Sequence, residues 1–175
     1  MLVTTAVGAL AEMPVYDKMT LEIYAHSSVL MEQAAADIWP FVIDPNSWKQ
    51  GLKLRHVDGE QNQVGQVFAA LASPGDATPQ LYVKNVEVIP NQLRTIKLMS
   101  PDDGATVGYS SWVLEESYGM TRVSYHVYVS MPLPEEAVVN MSAEQIGDMK
   151  ARQQAENAAR YKDELLALKA AVEAR

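Results

Sequence analysis

The sequence predicts an α+β fold in which one long C-terminal helix closes an antiparallel sheet. Two observations support this prediction. From Leu21 to Met131, segments rich in β-branched and aromatic residues alternate with turn signals such as Asp58-Gly59 and Pro101–Gly104. From Asp148 to Ala174 there is neither Gly nor Pro, and residues with high helix propensity dominate. Strands followed by a single long helix are typical of α+β domains.

The two short helices are expected directly after the first strand. Gln33–Ile43 is rich in Ala and large apolar residues, and Asp44-Pro45 ends it. Pro40 lacks an N–H and is expected to kink the last turn of this helix. Asn46-Ser47 can cap a second short helix over Trp48–Gln50.

Seven segments have the composition of strands. They are Leu21–Glu32, Leu52–Val57, Val64–Leu71, Gln80–Ile89, Leu93–Met99, Thr106–Glu115 and Met120–Met131. The last six follow one another without a helix between them. Parallel crossovers need a dozen or more residues, so these strands must pair antiparallel in a sheet of six or seven strands.

The final helix is expected to begin near Ser142, where Ser142–Gln145 fits a capping box. Its C-terminal half places one apolar stripe at spacings of three and four residues: Tyr161, Leu165, Leu168 and Val172. One helix cannot fill the concave face of a twisted sheet along its whole length. The remaining space becomes either a core of large side chains or a cavity, and the eight Tyr and nine Met suit a cavity lining.

Length and charge restrict the function. The chain of 175 residues predicts one domain, residues 21–175, preceded by an apolar N-terminal extension, residues 1–20. The net charge of −8 and the scattered Lys and Arg argue against nucleic acid and anionic membranes as partners. No apolar run approaches the roughly 20 residues of a membrane span. We therefore expect a cytoplasmic protein.

Metal and thiol chemistry receive no support from the sequence. The chain contains no Cys, which excludes disulfides and thiolate sites. The three His, at positions 26, 56 and 126, lack the close spacing of metal ligands. No phosphate loop, dinucleotide fingerprint or nucleophile elbow is present. We expect neither a metal nor a cofactor.

The chain resembles the START-like helix-grip superfamily, also called SRPBCC, of polyketide cyclase/dehydrase and lipid transport type. The segments that carry the resemblance are Val29–Trp39, Asp44–Trp48, Ser110–Glu115, Gly119–Val123 and Leu168–Glu173. Ala34 departs from the family, which usually has Pro there, and Pro40 is also unusual. The resemblance implies a seven-stranded antiparallel sheet wrapped around the C-terminal helix, with a ligand cavity between them.

Five residues are candidates for ligand contact. Trp112 matches an interior aromatic residue of the superfamily, and Tyr125 lies on the more apolar face of the last strand. Tyr82 is a candidate on a strand whose two faces are similar in character. Met149 and Gln153 lie on the more polar first half of the final helix, where they are expected near one mouth of the fold.

Three residues are candidates for catalysis. His26 and His126 lie on the less apolar faces of strands that we expect to be neighbours. They are either surface imidazoles or a paired acid and base. Lys84 is either a solvated strand residue or, if it lies in a pocket, a base or nucleophile with a lowered pKa.

The leading hypothesis is a protein that binds an apolar or aromatic small molecule, or a lipid, in an internal cavity. The alternative is an enzyme, a cyclase, aromatase or dehydratase on a polyketide-like substrate, using pocket Tyr, His or Lys groups for proton transfer. A third possibility, an adaptor, requires an exposed apolar patch. A homodimer formed through the N-terminal extension is compatible with each function.

Overall fold

The computed structural model describes residues 20–49, 51, 53–133 and 138–175. The N-terminal extension up to residue 19, and the dimer contact expected of it, lie outside the described residues. The elements within the described residues are β1 (Thr20–Met31), α1 (Ala35–Ile43), β2 (Lys53–Asp58), β3 (Val67–Leu71), β4 (Leu81–Ile89), β5 (Leu93–Met99), β6 (Thr106–Ser117), β7 (Met120–Pro132) and α2 (Ala143–Glu173). A short 3₁₀ helix, Pro45–Ser47, follows α1.

The seven strands form one sheet in the order β1-β7-β6-β5-β4-β3-β2. Every neighbouring pair is antiparallel. This confirms the predicted seven-stranded antiparallel sheet closed by one long helix. The strands β2 to β7 form a meander, because each is the neighbour of the next along the chain, and β1 pairs with β7 at one edge.

The α1 helix begins two residues later than predicted, at Ala35, and its first turn is held by the sheet. Ala34 provides no side-chain cap. Instead, the carboxylate of Glu116 at the end of β6 accepts a hydrogen bond from the Ala35 N–H at 2.8 Å. This contact satisfies one of the free N–H groups of the first turn and ties α1 to β6. The helix continues past Pro40 to Ile43.

The second short helix lies before Trp48, not over Trp48–Gln50 as predicted. Pro45 occupies its first turn, where no N–H is needed, and the Asp44 carboxylate accepts a hydrogen bond from the Asn46 N–H at 3.2 Å. These two features favour a start at Pro45 over one at Trp48. Gln50 lies outside the described residues.

The α2 helix begins with the predicted capping box. The Ser142 hydroxyl accepts from the Gln145 N–H at 3.2 Å, and the Gln145 side chain accepts from the Ser142 N–H at 2.7 Å. The predicted apolar stripe is buried: Tyr161, Leu165, Leu168 and Val172. Among the described helices, none is long and apolar enough to cross a membrane.

Along its length α2 follows the free edge of β1. The side-chain amide of Gln154 accepts from the Tyr24 N–H at 3.1 Å and donates to the Tyr24 carbonyl. Fifteen residues further along α2, the Lys169 ammonium donates to the Leu30 carbonyl at 3.0 Å. These contacts satisfy edge groups of β1 that would otherwise be open to another strand. The helix is therefore fixed on the β1 side of the sheet.

The concave face of the sheet forms the core together with α2 and α1. On β7 the alternation predicted from the sequence is observed, and the buried residues of this face are Val123, Tyr125, Val127 and Val129. Leu21, Ile23 and Ala25 of β1 are buried on the same side. The residues between them on both strands point to the outer face.

A chain of buried polar side chains links the β2–β3 loop to the end of α1. Asn85 occupies the middle of it: its Nδ2 donates to Gln66 Oε1 at 3.4 Å, and its Oδ1 accepts from Arg94 Nε at 3.0 Å. Arg94 Nη1 in turn donates to the Val42 carbonyl at 2.6 Å. Gln66, Asn85 and Arg94 are all buried. The Asn85 amide, Gln66 Oε1, and Nε and Nη1 of Arg94 all have partners, so these groups are buried without the desolvation penalty of orphaned groups.

We predict that Asn85→Ala lowers the free energy of unfolding by about 2–3 kcal/mol. The substitution removes the acceptor of a buried guanidinium and the donor to Gln66, and unpaired buried groups cost about 1–3 kcal/mol each. The matched control is Asn157→Ala, because the Asn157 amide donates only to the Gln153 carbonyl within α2. Urea denaturation followed by circular dichroism measures both. Equal losses in the two variants contradict the prediction.

Candidate functional site

A cavity of about 350 Å³ lies between the concave face of the sheet, the segment that follows α1, and α2. Its lining is mainly apolar, and the aliphatic residues in it are Val42, Leu54, Ala70, Leu81, Val83, Ile96, Leu98 and Val127. Small-molecule sites commonly enclose about 300–1,000 Å³ with a largely apolar lining and a few polar groups. The cavity therefore has the size and character of a site for a compact ligand.

Four aromatic side chains form a continuous row along this cavity. The Trp112 and Tyr125 rings stack with centroids 3.9 Å apart and planes 17° apart. Trp48 meets Trp112 edge-on at 6.2 Å, and Tyr161 of α2 meets Tyr125 edge-on at 5.7 Å. The Trp48 Nε1–H donates to the Phe41 carbonyl at 2.8 Å, so its ring orientation is fixed. The row offers flat, rigid surfaces against which a planar ligand can pack.

Strand register explains why these groups converge. Arg94 of β5 lies opposite Trp112 of β6, and Trp112 lies opposite Tyr125 of β7. Residues directly opposite on antiparallel strands have Cβ atoms about 5 Å apart on the same face. A guanidinium, an indole and a phenol therefore form one cross-strand row under the cavity.

The polar groups of the cavity are few and well defined. Burial lowers the pKa of the Arg94 guanidinium to about 10, so Arg94 stays cationic at neutral pH. Burial, together with the nearby charge of Glu164, raises the pKa of the Tyr125 phenol above its ordinary value, so this hydroxyl stays protonated and can donate. The Ser110 side chain is 3% exposed, and its oxygen has no hydrogen bond of ordinary geometry among the described residues, although it lies close enough to the Tyr125 phenol to lower the pKa of that group slightly against the effect of burial.

Charged side chains from α2 border the cavity. The Lys49 ammonium and the Glu164 carboxylate form an ion pair at 2.8 Å that joins the segment after the 3₁₀ helix to α2. Arg160 Nη2 donates to the Tyr161 hydroxyl at 2.9 Å. Both pairs involve residues of the cavity lining. They place charged groups at the border of the cavity.

A second depression of about 390 Å³ lies beside β2 and is more open and more polar. Asp44, His56 and Gln66 are among its lining residues. The His56 ring lies 2.9 Å from the Gly59 carbonyl through Nε2, so it is engaged within its own turn. The first cavity, which is less open and more apolar, is therefore the better candidate for a ligand site.

No protein-family model and no curated protein matches the sequence. Solved structures do match. The protein of unknown function from Staphylococcus aureus superposes with a TM-score of 0.67 at 6% identity, over 89% of this chain and 96% of that chain. The Zhui aromatase/cyclase from a Streptomyces species gives 0.60 at 13% identity, over 87% and 94%.

The di-domain ARO/CYC protein StfQ from the steffimycin biosynthetic pathway gives a TM-score of 0.63 at 12% identity, over 91% of this chain. The chain spans 53% of the length of StfQ. The superpositions cover most of this chain, which consists of the seven-stranded antiparallel sheet and the long C-terminal helix. The chain has the helix-grip fold. At these identities the likeness establishes the fold, and the chemistry has to be argued from the residues of this chain.

Two of the five ligand-contact candidates, Trp112 and Tyr125, line the helix-grip cavity. Tyr82 does not, because its neighbours Leu81 and Val83 face the cavity and successive strand residues point to opposite faces. Tyr82 therefore lies on the outer face of β4.

Met149 and Gln153 also lie away from the cavity lining, on the first half of α2. The helix reaches the cavity two to three turns later, through Arg160, Tyr161 and Glu164. The reason is geometric. The first half of α2 is held at the middle of β1, where Gln154 bonds to Tyr24, and the cavity lies beside the later turns that carry Arg160, Tyr161 and Glu164.

The three catalytic candidates lie on the outer face of the helix grip. His26 of β1 is directly opposite His126 of β7, and their rings stack at 4.3 Å between centroids. Tyr125 and Val127 on either side of His126 face the cavity, so both imidazoles face outward. Lys84 follows Val83, which also faces the cavity, and lies opposite Lys97 on the outer face.

Several cavity residues were not among the sequence candidates, notably Arg94, Trp48 and Glu164. A signal for Arg94 was present, because Arg94, Ile96 and Leu98 alternate on β5 and a lone cation on an apolar face is unusual. Trp48 belongs to an irregular segment after a 3₁₀ helix, where sequence periodicity cannot predict which side chains face the interior. In the described residues no group of three or more His, Asp or Glu side chains could hold a metal ion.

We predict that His26→Gln raises the pKa of His126. Burial lowers this pKa, and repulsion from a protonated His26 lowers it further, so the variant removes the second cause. A proton NMR titration of the imidazole Cε1–H resonances measures the change. His56→Gln, on the opposite edge strand, is the control and should leave His126 unchanged. A His126 pKa that does not respond to His26→Gln, or that lies above the ordinary value, contradicts the prediction.

Proposed function

We propose that this protein binds a compact apolar or aromatic small molecule in the helix-grip cavity. The observation that carries the proposal is the row of four aromatic side chains along a partly open, mainly apolar space of about 350 Å³. Burying apolar ligand surface against such walls is worth about 25 cal/mol per Å². The rings of Trp48 and Trp112 are held by neighbouring contacts, so binding costs little ordering of the site.

The size of the cavity favours a ligand of a few fused or linked rings over a long acyl chain. The volume lies at the lower end of the range for small-molecule sites. Three adjacent cross-strand groups present planar or polar surfaces, and a flat ligand can contact them together. A lipid with a short or folded chain would also fit, and it would contact the aliphatic lining more than the aromatic row.

Ring closure or dehydration receives less support as the function. Proteins of that kind are among the solved structures that share the fold. However, His26, Lys84 and His126 lie on the outer face and cannot reach a ligand in the cavity without unfolding the sheet. Within the cavity, Glu164 is already paired with Lys49, and the Tyr125 phenol is held in its protonated form. Binding needs only the residues that line the cavity.

An adaptor function has a weaker basis as well. The outer face exposes Tyr24, Tyr109 and Tyr128, which the strand register aligns in one row. The Tyr128 hydroxyl donates to the Glu22 carboxylate at 3.1 Å, so this surface is polar as well as aromatic. It is not the dry apolar patch that marks a docking surface.

We predict that Ser110→Leu abolishes binding of the neutral fluorescent probe N-phenyl-1-naphthylamine, or weakens it at least tenfold. The larger side chain occupies the cavity beside Trp112, and it removes a buried hydroxyl that has no partner, so the fold is retained. The dissociation constant from probe fluorescence is the measurement. Native mass spectrometry of the purified wild-type protein, looking for a co-purified small molecule, tests the same proposal without a probe.

The matched control is Ser111→Leu, one residue along β6 on the outer face, where the Ser111 hydroxyl pairs with that of Thr95 at 3.0 Å. This variant should bind the probe as the wild type does. Three Trp are present, and two of them, Trp48 and Trp112, line the cavity. Intrinsic fluorescence should therefore change on binding in Trp39→Phe but much less in the double variant Trp48→Phe/Trp112→Phe. If Ser110→Leu and Ser111→Leu bind the probe equally, the ligand does not occupy this cavity.

A further inference from the structure

Arg94 uses only part of its hydrogen-bonding capacity to hold the fold together. Its side chain is 3% exposed, and it lines the cavity. Nε donates to Asn85 Oδ1 at 3.0 Å, and Nη1 donates to the carbonyls of Val42 and Ile43 at 2.6 and 3.3 Å. Nη2 donates to no acceptor among the described residues. A guanidinium has five N–H donors in a fixed planar fork, so an unused Nη2 retains two of them.

The charge of Arg94 is not neutralised by a direct ion pair, and the Asp44 carboxylate stabilises it only from a distance. No carboxylate of the described residues lies within 4.0 Å of its guanidinium. The carbonyls at the C-terminal end of α1 carry partial negative charge, and they stabilise the guanidinium on the side of Nη1. A buried cation with an unpaired donor remains costly unless an anion or acceptor completes its shell. Because Arg94 lines the cavity, a partner for Nη2 would have to be a ligand bound there.

The balance of charge around the cavity runs opposite to that of the whole chain. The protein carries a net charge of −8, yet the cavity lining contains Lys49, Arg94 and Arg160 against the single acid Glu164. Lys49 and Glu164 form an ion pair with each other. The two guanidinium groups are therefore in excess, in a chain that is otherwise acidic. Such a local excess attracts and retains an anionic ligand.

Resting on the proposed binding function, we propose that the ligand is a compact ring compound with an anionic oxygen group, and that this group binds Nη2 of Arg94. Its ring packs against Trp112, which lies directly opposite Arg94 on β6. Ser110, two residues before Trp112 on the same strand and face, supplies a second donor, because its hydroxyl makes no hydrogen bond of ordinary geometry among the described residues and lies beside the Tyr125 phenol. The ligand class comprises aromatic carboxylates, sulfonates and acidic phenols.

A pair of naphthalene probes tests this assignment. 1-Anilinonaphthalene-8-sulfonate and N-phenyl-1-naphthylamine share their ring system and differ by one sulfonate. At neutral pH, the wild-type protein should bind the sulfonate at least about tenfold more tightly, as expected for one charge-assisted contact. Arg94→Met should remove this preference and keep the binding of the neutral probe. The control Arg122→Met, at an exposed arginine near the end of β7 that does not line the cavity, should keep the preference.

Arg94→Met also removes contacts to Asn85 and α1 and can impair folding, so a wild-type experiment accompanies it. Displacement of bound N-phenyl-1-naphthylamine by 1-naphthoate should occur at a concentration about tenfold lower than displacement by the neutral 1-naphthamide. If the neutral probe binds and the anions show no advantage, the inference is overturned and the proposed function stands. A preference that persists in folded Arg94→Met also overturns it. If none of the compounds binds, the proposed function itself fails.

Discussion

The position of α2 on one side of the sheet is the constraint on which the rest of the structure depends. Gln154 and Lys169 attach the helix to the free edge of β1, and its apolar stripe packs on the core at that side. A helix about 10 Å wide cannot cover seven strands that lie about 4.8 Å apart. The concave face beyond it must be filled by another element, by large side chains, or by a ligand.

Other elements fill this space only in part. The 3₁₀ helix and the residues after it reach over the strands from the opposite side, and Trp48 is their main contribution to the interior. The strands contribute mostly short aliphatic side chains there, such as Ala70 and Val83. Close-packed interiors rarely leave voids of this size. Here the aromatic row maintains the space because its rings pack on one another and cannot collapse into it.

Arg94 connects stability with binding in this structure. Through Asn85 it belongs to the buried polar chain that reaches the β2–β3 loop, and through Val42 it fixes the end of α1. The same guanidinium presents its remaining donors to the cavity. A site held by such a network is preorganised, because the side chain needs no rearrangement to meet a ligand. The cost is that the group cannot be changed without an effect on folding.

The sequence predicted the fold well and the site only in part. Antiparallel pairing followed from turn signals and from the absence of helices between strands, and the alternation of Val and Tyr on β7 identified its buried face. On β4 alternation could not show which face is buried, because both faces mix apolar and polar residues. The register also shifts between Asn85 and Glu87. Such a bulge re-aims side chains.

The remaining differences concern tertiary contacts that local patterns do not encode. Ala34 offers no cap, and the cap of α1 comes from Glu116, 81 residues away in the chain. Gly108 permits the close approach of β6 and β7, because a Cβ there would collide with the Tyr128 carbonyl oxygen, and nothing in the local pattern predicts this contact. Which turn of α2 meets the cavity depends on where Gln154 bonds to β1, and helical periodicity alone cannot set that position.

The most direct test is a crystal structure of the protein with 1-bromonaphthalene, in which anomalous scattering locates the bromine. The account predicts one bromine position inside the helix-grip cavity, with the naphthalene ring against Trp112 and between β6 and α2. An interior already filled by side chains, or bromine only at the protein surface, would contradict it.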